Sequence, residues 1–320
     1  MITVLNNYKA KFYNIEFQGI SNFTCAKVKK IYIINLKKDV VRRHYIATLM
    51  KKYKINFTLV VVEKIDDFFW SSLNQNGSLT RGEIGCCLSH LYCLKDVIDH
   101  GYENCIIFED DIILHKQFHT LFEEVFCKGI DYDFLMLGAC DFSFASIHSK
   151  HVFNGLYRID PSAKKVYGAH ANYYSLAGAK KMFDLKSNME EFSFFDKDYE
   201  PMFESFPKSS FICYPNLVVS DISTTNLDHE YPFLSVQENN YYKKCFLDFR
   251  FHDYHFIYLD FFIKNKDVKI MDDDTYESFM TRLLERTFFN GEKVRQIKNR
   301  LSLDFFLLKD LKLIIQEQNL

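Results

Sequence analysis

Apolar residues follow two different patterns along the first half of the chain: unbroken runs, and repeats at helical spacing. Continuous apolar runs lie at residues 31–36, 57–62, 105–108 and 134–138. Runs in which polar and apolar residues do not alternate predict strands that are buried on both faces. After Asp39, apolar residues recur at 46, 49, 50 and 53, which is the spacing of one helix face. Alternating buried strands and helices predict βαβ units, and therefore an α/β fold with a mainly parallel central sheet.

A second helix is predicted to begin at Thr80. The Thr80 hydroxyl can accept a bond from the Glu83 amide while the Glu83 carboxylate accepts one from the Thr80 amide, which is a capping box. Apolar residues then repeat at three and four positions: Ile84, Cys87, Leu88, Leu91, Leu94 and Ile98. Gly82 and Gly85 stand in the first turns, although an interior glycine costs a helix about 1 kcal/mol. We expect a backbone or a ligand to approach the helix there.

The chain changes character near residue 235. Residues 1–28 are mixed and predict a peripheral strand or arm, whereas aromatic residues crowd positions 246–262. From about residue 276 the pattern is that of charged amphipathic helices. We therefore predict an α/β domain over residues 1–235 and a helical, aromatic-rich region over residues 236–320. The second region is expected to bind a substrate or to pair two copies of the chain as a homodimer.

Composition narrows the class of protein. Of 320 residues, 48% are hydrophobic and 26% charged, as is typical of a chain with a packed core. The 40 Lys and Arg residues are balanced by 42 Asp and Glu residues, so no basic field favours nucleic acid. None of the nine cysteines has CxxC spacing, which argues against a zinc ribbon or a disulfide framework and predicts reduced thiols.

The same survey predicts a protein that does not span a membrane. No apolar stretch reaches the roughly 18 residues that a bilayer requires. The first residues also lack the basic and then apolar pattern of a signal peptide. We therefore expect a soluble protein in a reducing, cytoplasmic compartment.

Three consecutive carboxylates follow the third apolar run. Glu109, Asp110 and Asp111 come directly after a predicted strand, and ligands of open α/β sheets bind at the carboxyl ends of strands. A hard divalent cation would relieve the repulsion of the carboxylates and also hold diphosphate oxygens. A solvated acidic turn is the alternative interpretation.

The end of the first predicted strand also carries polar residues. Asn35 and Asp39 precede a helix N-terminus, and Arg42 follows one turn later, an arrangement that suits a nucleotide. The segment lacks the glycine pattern of a dinucleotide fingerprint or a phosphate loop, so NAD and ATP sites of those kinds are unsupported. An ordinary helix start with exposed arginines is the alternative interpretation here.

Together these segments resemble glycosyltransferase family 25, which includes bacterial lipooligosaccharide galactosyltransferases and collagen-type β-galactosyltransferases. Four motifs carry the resemblance: IYIINL at 31–36 with Asp39, Arg42 and Arg43, LTRGEIGCCLSH at 79–90, IFEDD at 107–111, and YGAHANYYS at 167–175 with Gly178 to Lys181. The resemblance covers about residues 30–225. The chain differs from the usual family sequence at Ala169, where a threonine is usual, and at Ile65 to Asp67, where Asp-Gly is usual.

The resemblance implies a GT-A-like fold, a UDP-sugar donor and inversion at the anomeric carbon. It implies a divalent cation, expected to be Mn²⁺, with Glu109, Asp111 and His229 as ligands. It makes Asp196 or Asp198 the general base. The residues it implies for binding the nucleotide-sugar are Asn35, Asp39, Arg42, Glu83, Ser89, His90 and Asp110. On the sugar and acceptor side it implies His170 and Asp221. Cys86 is interpreted as a reduced thiol and not as a metal ligand.

The expected function is metal-dependent, inverting transfer of a hexose, galactose or glucose, from a UDP-hexose. The acceptor is a hydroxyl of a glycan, as in lipopolysaccharide biosynthesis, or of hydroxylysine in a collagen-like protein. Two alternatives stay open. A catalytically inactive relative that binds a glycan or nucleotide is disfavoured by the intact acidic triplet at residues 109–111. A nucleotidyltransferase is disfavoured because the chain has no glycine-rich basic loop.

Overall fold

The computed structural model describes residues 5, 11–18, 27–73, 79–114, 118–127, 129–139, 156–163, 166–187, 193–213 and 216–220. The predicted boundary at residue 235 and the region 236–320 lie outside the described residues. Among the helices that are described, none is long and apolar enough to cross a membrane.

The described residues form ten strands and six helices. The strands are β1 (Phe12–Phe17), β2 (Ile31–Leu36), β3 (Phe57–Val62), β4 (Asn104–Glu109), β5 (Ile112–Leu114), β6 (Phe134–Met136), β7 (Leu156–Arg158), β8 (Ala171–Ser175), β9 (Ser210–Cys213) and β10 (Val218–Ser220). The helices are α1 (Val40–Lys52), α2 (Asp67–Leu73), α3 (Arg81–His100), α4 (Phe118–Cys127), α5 (Leu176–Ser187) and α6 (Glu200–Ser205). A 3₁₀ turn covers Phe195–Asp198.

Eight of these strands build one sheet in the order β1-β3-β2-β4-β8-β6-β9-β7, and β5 pairs with β10 in a small antiparallel sheet. Strands β3, β2 and β4 are parallel neighbours, as the βαβ pattern predicts. Strand β8 then lies between β4 and β6 and runs antiparallel to both. The two edge strands, β1 and β7, are also antiparallel to their neighbours.

The sheet is therefore mixed, and the prediction of a mainly parallel sheet is wrong. Among the described strands, only three of the seven neighbouring pairs are parallel. An apolar run indicates that a strand is buried but carries no information about the direction of its neighbour. The fold class, α/β, is confirmed.

Both faces of the sheet are covered, which explains the continuous apolar runs. On one face, Tyr32 and Ile107 pack with apolar residues of α3 and α5. On the other, Ile33 and Ile106 pack with apolar residues of α1 and α4. The apolar stripe predicted for α1 is confirmed, since Ile46, Leu49, Met50 and Tyr53 are all buried. A strand with both faces buried cannot alternate apolar with polar residues.

Helix α3 begins as its sequence predicts. Thr80 Oγ1 accepts a bond from the Glu83 amide at 3.3 Å, and Glu83 Oε2 accepts one from the Thr80 amide at 2.7 Å. Gly101, with φ of 65°, ends the helix in the left-handed conformation that glycine adopts most readily. The capping box thus fixes the residue at which α3 starts. It thereby fixes where the first turns of α3 lie along the sheet.

Candidate active site

A cleft opens where the three parallel strands β3, β2 and β4 end. Because these strands run in the same direction, the residues that follow them meet at one edge of the sheet. The first turns of α3 and the 3₁₀ turn at Phe195–Asp198 form the opposite wall. Polar residues on the cleft include Arg42, Arg81, Cys86, Glu109, Asp110, Asp111 and Asp196.

Asp110 joins the ends of β2 and β4. Asn35 Nδ2 donates to Asp110 Oδ2 at 2.6 Å, and Arg42 Nη1 donates to Asp110 Oδ1 at 2.8 Å. Arg42 Nη2 also lies 3.5 Å from Asp111 Oδ2. The structure therefore brings together four residues that the sequence predicted for the site, and both aspartates are buried.

In this group the guanidinium of Arg42 faces two buried carboxylates. Desolvation lowers the pKa of Arg42, but Asp111 and Asp110 outweigh it and raise that pKa above its ordinary value. Burial raises the pKa of Asp110, although Arg42 and Asn35 act to lower it. The ion pair therefore keeps Arg42 charged. It does not fully offset the desolvation of the Asp110 carboxylate, whose pKa stays raised.

Arg43 holds the end of β2 in place, a role that the sequence did not predict. Its Nε donates to Asn35 Oδ1 at 2.8 Å, and its Nη2 donates to the carbonyl of Lys37 at 2.7 Å. Asn35 Nδ2 also lies 3.2 Å from the Asp39 carbonyl. Asp39 stands at the N-cap position of α1, but its side chain makes no capping bond there. Arg43 thereby holds the oxygen of the Asn35 amide, which leaves the amide nitrogen directed towards Asp110.

Glu109 faces the other wall of the cleft. Its Oε1 lies 3.2 Å from His90 Nε2 and 3.5 Å from Cys86 Sγ, both on α3. The His90 ring stacks on Phe195, with ring centroids 4.3 Å apart. Burial raises the pKa of Cys86 well above its ordinary value, and the charge of Glu109 raises it further. The acidic triplet is thus divided between two sets of partners.

Glu83 and Ser89 line the cleft, and each makes a hydrogen bond within the first turns of α3. Glu83 closes the capping box, and Ser89 Oγ donates to the Gly85 carbonyl at 2.6 Å. A methyl group added at Gly85 would make an ordinary contact, 3.7 Å, with the Ile65 side chain. No backbone therefore crowds Gly85, and its predicted ligand contact stays a prediction. Gly82 and Gly85 both lie on the cleft wall.

Asp196 reaches the cleft from the 3₁₀ turn. The Gly168 amide donates to Asp196 Oδ2 at 3.0 Å, which ties the carboxylate to the segment before β8. Asp198 belongs to the same turn, but its side chain is not among those described. His170 is fully buried behind the triplet: its carbonyl accepts from the Glu109 amide at 2.9 Å. The predicted residues Asp221 and His229 lie outside the described residues.

A sequence model of glycosyltransferase family 25, described as an LPS biosynthesis protein family, matches residues 28–198. This stretch is just over half of the chain and includes the cleft residues from Arg42 to Asp196. The chain belongs to glycosyltransferase family 25. The resemblance drawn from the four motifs is thereby confirmed.

Curated relatives match over about a third of the chain. A probable inactive glycosyltransferase 25 family member 3 from Bos taurus is 32% identical over 109 residues, covering 33% of this chain and 18% of the relative. Procollagen galactosyltransferase 2 from Mus musculus is 30% identical over 132 residues, covering 34% and 20%. The chain therefore spans about a fifth of the length of these relatives. A solved structure, A197 from STIV, aligns with 58% of this chain and 81% of its own at 11% identity, but the TM-score of 0.30 establishes no shared fold.

Proposed function

We propose that this chain is a glycosyltransferase that moves a hexose from a UDP-hexose to an acceptor hydroxyl, with a divalent cation at Asp110 and Asp111. The observation that carries the proposal is the grouping of these two carboxylates with Asn35 and Arg42 at the ends of β4 and β2. That group lies in a cleft of a family 25 member. Ligands of α/β sheets bind in such clefts.

The residues present fit a hard divalent cation. Carboxylate oxygens are the ligands that Mg²⁺ and Mn²⁺ prefer, and Asp110 and Asp111 carry two negative charges against the single charge of Arg42. When bound, a divalent cation would neutralise the charge that grows on a leaving diphosphate. Mn²⁺ is the cation we expect. Glu109 faces Cys86 and His90 on the other wall of the cleft, whereas Asp110 and Asp111 lie together beside Arg42, so Asp111 and Asp110 are the ligands we favour.

The nucleotide would lie between the end of β2 and the start of α3. Arg42 is fixed by Asp110, while Arg81 lies on the cleft, paired with Asp67 and 5.3 Å from the centre of the Trp70 ring. Two arginines near a helix N-terminus suit a diphosphate, because guanidinium and amide hydrogens both donate to phosphate oxygens. Asn35 and Asp39 would position the nucleotide from the β2 side.

Asp196 is the general base that we favour. Inversion requires one group to take the proton of the acceptor hydroxyl as that oxygen attacks the sugar. The Asp196 carboxylate lies on the cleft, and the Gly168 amide helps to orient it there. Asp198, in the same turn, is the alternative.

Galactose is the sugar we favour, because the mouse relative is a galactosyltransferase by name. The same name supports a collagen-like acceptor, and the lipopolysaccharide description of the family supports a glycan. The name of the bovine relative supports a second candidate, a catalytically inactive chain that still binds a nucleotide-sugar. The two candidates differ in turnover and not in binding.

One experiment separates them. UDP release is measured with UDP-galactose and UDP-glucose, with and without Mn²⁺, in the presence of glycan acceptors or hydroxylysine peptides. We expect Mn²⁺-dependent release that Asp111→Asn lowers at least about 100-fold, the size of a lost charge-stabilising group. The control Asp99→Asn alters an exposed carboxylate paired with Lys95 and should keep full activity. Binding of UDP-sugar without release under any condition would favour the inactive candidate, and full activity of Asp111→Asn would contradict the metal assignment.

A further inference from the structure

Three side chains beside the Asp110–Asp111 group form a cluster of a different chemical kind. Cys86, His90 and Glu109 each offer one ligand atom, and these atoms all lie within 4.8 Å of one another. Cys86 and His90 are four residues apart on α3 and therefore share a face of the helix. Glu109 approaches that face from the end of β4.

Two of the three distances between ligand atoms in the cluster match those of a tetrahedral zinc site. Zn–S bonds of about 2.3 Å and Zn–N or Zn–O bonds of about 2.0–2.1 Å separate sulfur from oxygen by about 3.5 Å, and nitrogen from oxygen by about 3.3 Å. In the structure, Cys86 Sγ lies 3.5 Å and His90 Nε2 lies 3.2 Å from Glu109 Oε1. Two edges of the tetrahedron are therefore already formed.

The donor set selects the kind of cation. Thiolate and imidazole are ligands of Zn²⁺ and related borderline-soft ions, whereas Mg²⁺ and Mn²⁺ favour oxygen. The neighbouring Asp110–Asp111 group offers only oxygen. The two groups should thus bind different cations, although they belong to consecutive residues.

We propose that Cys86, His90 and Glu109 bind a Zn²⁺-type cation, separate from the cation at Asp110 and Asp111. The fourth coordination position faces the cleft, because Cys86 and Glu109 both line it. Binding releases the thiol proton of Cys86 to the solvent, since metal ligands of this type are thiolates, and the cation takes the place of the contact between Cys86 Sγ and Glu109 Oε1. The proposal does not depend on transferase activity.

Packing holds the imidazole in a position to coordinate. Phe195 stacks on His90 at 4.3 Å with an interplanar angle of 20°. His90 Nδ1 is buried and makes no hydrogen bond with the residues that the structure describes. Stacking and the contact with Glu109 therefore orient the ring, which leaves Nε2 as the nitrogen that faces the other two ligands.

Cobalt substitution of the full chain tests the proposal. Co²⁺ added to metal-free protein should give intense visible bands of a tetrahedral ion and a sulfur-to-cobalt charge-transfer band, and one equivalent of Zn²⁺ should remove both. Cys86→Ser should abolish the charge-transfer band and weaken Zn²⁺ binding at least about 10-fold. The control Cys127→Ser removes an exposed thiol of α4 and should change neither. A charge-transfer band that survives in Cys86→Ser, or absence of Zn²⁺ binding by the wild type, would overturn the proposal.

A second measurement needs no variant and so does not depend on the folding of one. Alkylation of each cysteine by iodoacetamide is followed by mass spectrometry with and without Zn²⁺. Zn²⁺ should slow alkylation of the half-buried Cys86 and leave that of the exposed Cys127 unchanged. Equal rates at Cys86 with and without Zn²⁺ would contradict the assignment.

Discussion

The acidic turn after β4 divides its carboxylates between the two sides of one cleft. On the sheet side, Asp110 and Asp111 face the guanidinium of Arg42, and Asp110 also faces the amide of Asn35. On the α3 side, Glu109 faces a thiol and an imidazole. The first group provides only oxygen ligands, whereas the second provides a mixed set with sulfur and nitrogen. Three consecutive residues can thus serve two kinds of cation.

The two sides also differ in what holds them together. Ion pairs and hydrogen bonds fix the sheet side, and both aspartates are buried there. Ring stacking on Phe195 fixes the α3 side, together with the turn spacing of the helix. Removing a charge should therefore disturb the first side, and removing an aromatic ring should disturb the second.

The largest effect is expected from Asp196, which lies on the wall of the cleft opposite the sheet side. If Asp196 is the general base, Asp196→Asn should lower kcat by about 10²–10⁴, because that is the usual contribution of proton transfer. UDP-sugar binding should stay nearly unchanged. Asp198→Asn, in the same turn, is the matched variant and should have a mild effect. Steady-state kinetics and calorimetric binding measure the two quantities, and mild effects in both variants would show that the base lies elsewhere.

Loss of Arg42 should cost stability on the sheet side. Arg42→Met keeps the aliphatic stem but leaves two buried carboxylates without their guanidinium, which should lower the free energy of unfolding by about 3 kcal/mol. Lys95→Met, which breaks the exposed pair with Asp99, should cost less than about 0.5 kcal/mol. Urea denaturation measures both. Mn²⁺ should restore part of the loss in Arg42→Met, and equal losses in the two variants would contradict the charge account.

Loss of the ring of Phe195 should weaken the α3 side alone. Phe195→Leu removes the surface on which His90 stacks, and we expect a loss of about 1 kcal/mol in the free energy of unfolding. Zn²⁺ affinity should fall several-fold while Mn²⁺ affinity is retained. Phe122→Leu makes the same change in the core on the other face of the sheet and should leave both affinities intact. A parallel loss of Mn²⁺ affinity in Phe195→Leu would show that the two sides are coupled.

The smallest effect concerns pH. Burial raises the pKa of Asp110 in the folded chain above its unfolded value of about 3.9, so between these values the folded state binds more protons than the unfolded state. The contribution of Asp110 to stability therefore falls as pH rises through that window. Urea denaturation of the wild type and of Asp110→Asn should be measured at several acidic pH values. The free energy of unfolding of the wild type, relative to that of the variant, should fall as pH rises. The opposite trend would mean that Arg42 outweighs burial at Asp110.

The sequence predicted local elements well, because local patterns determine them. Strands β2 and β3 lie where the apolar runs predicted them, and the capping box of α3 is confirmed. The position of β8 between β4 and β6 was not predicted, because strand order depends on contacts between distant segments. Strand β8 (ANYYS) is short and carries both Asn172 and Ser175, so its sequence did not stand out as an apolar run.

The sequence predicted which residues group on the sheet side of the cleft, but it did not predict that Cys86 joins His90 and Glu109 on the α3 side. Asn35, Arg42 and Asp110 were predicted together, because the carboxyl ends of parallel strands meet. Cys86 was interpreted as a reduced thiol, because spacing rules for metal sites consider cysteines close in sequence and Glu109 comes from another element. Its spacing of four residues from His90 on one helix was the available signal. The directions of the three carboxylates were not readable from the sequence.

The central claim is that the two sides of the cleft bind different cations, and paired metal titrations test it most directly. Mn²⁺ binding is followed by electron paramagnetic resonance, and Co²⁺ binding by its charge-transfer band, in wild type, Asp111→Asn and Cys86→Ser. We predict that Asp111→Asn loses Mn²⁺ binding and keeps the cobalt band, whereas Cys86→Ser loses the band and keeps Mn²⁺ binding. If either variant abolishes both signals, the cleft holds one metal site and the account is contradicted.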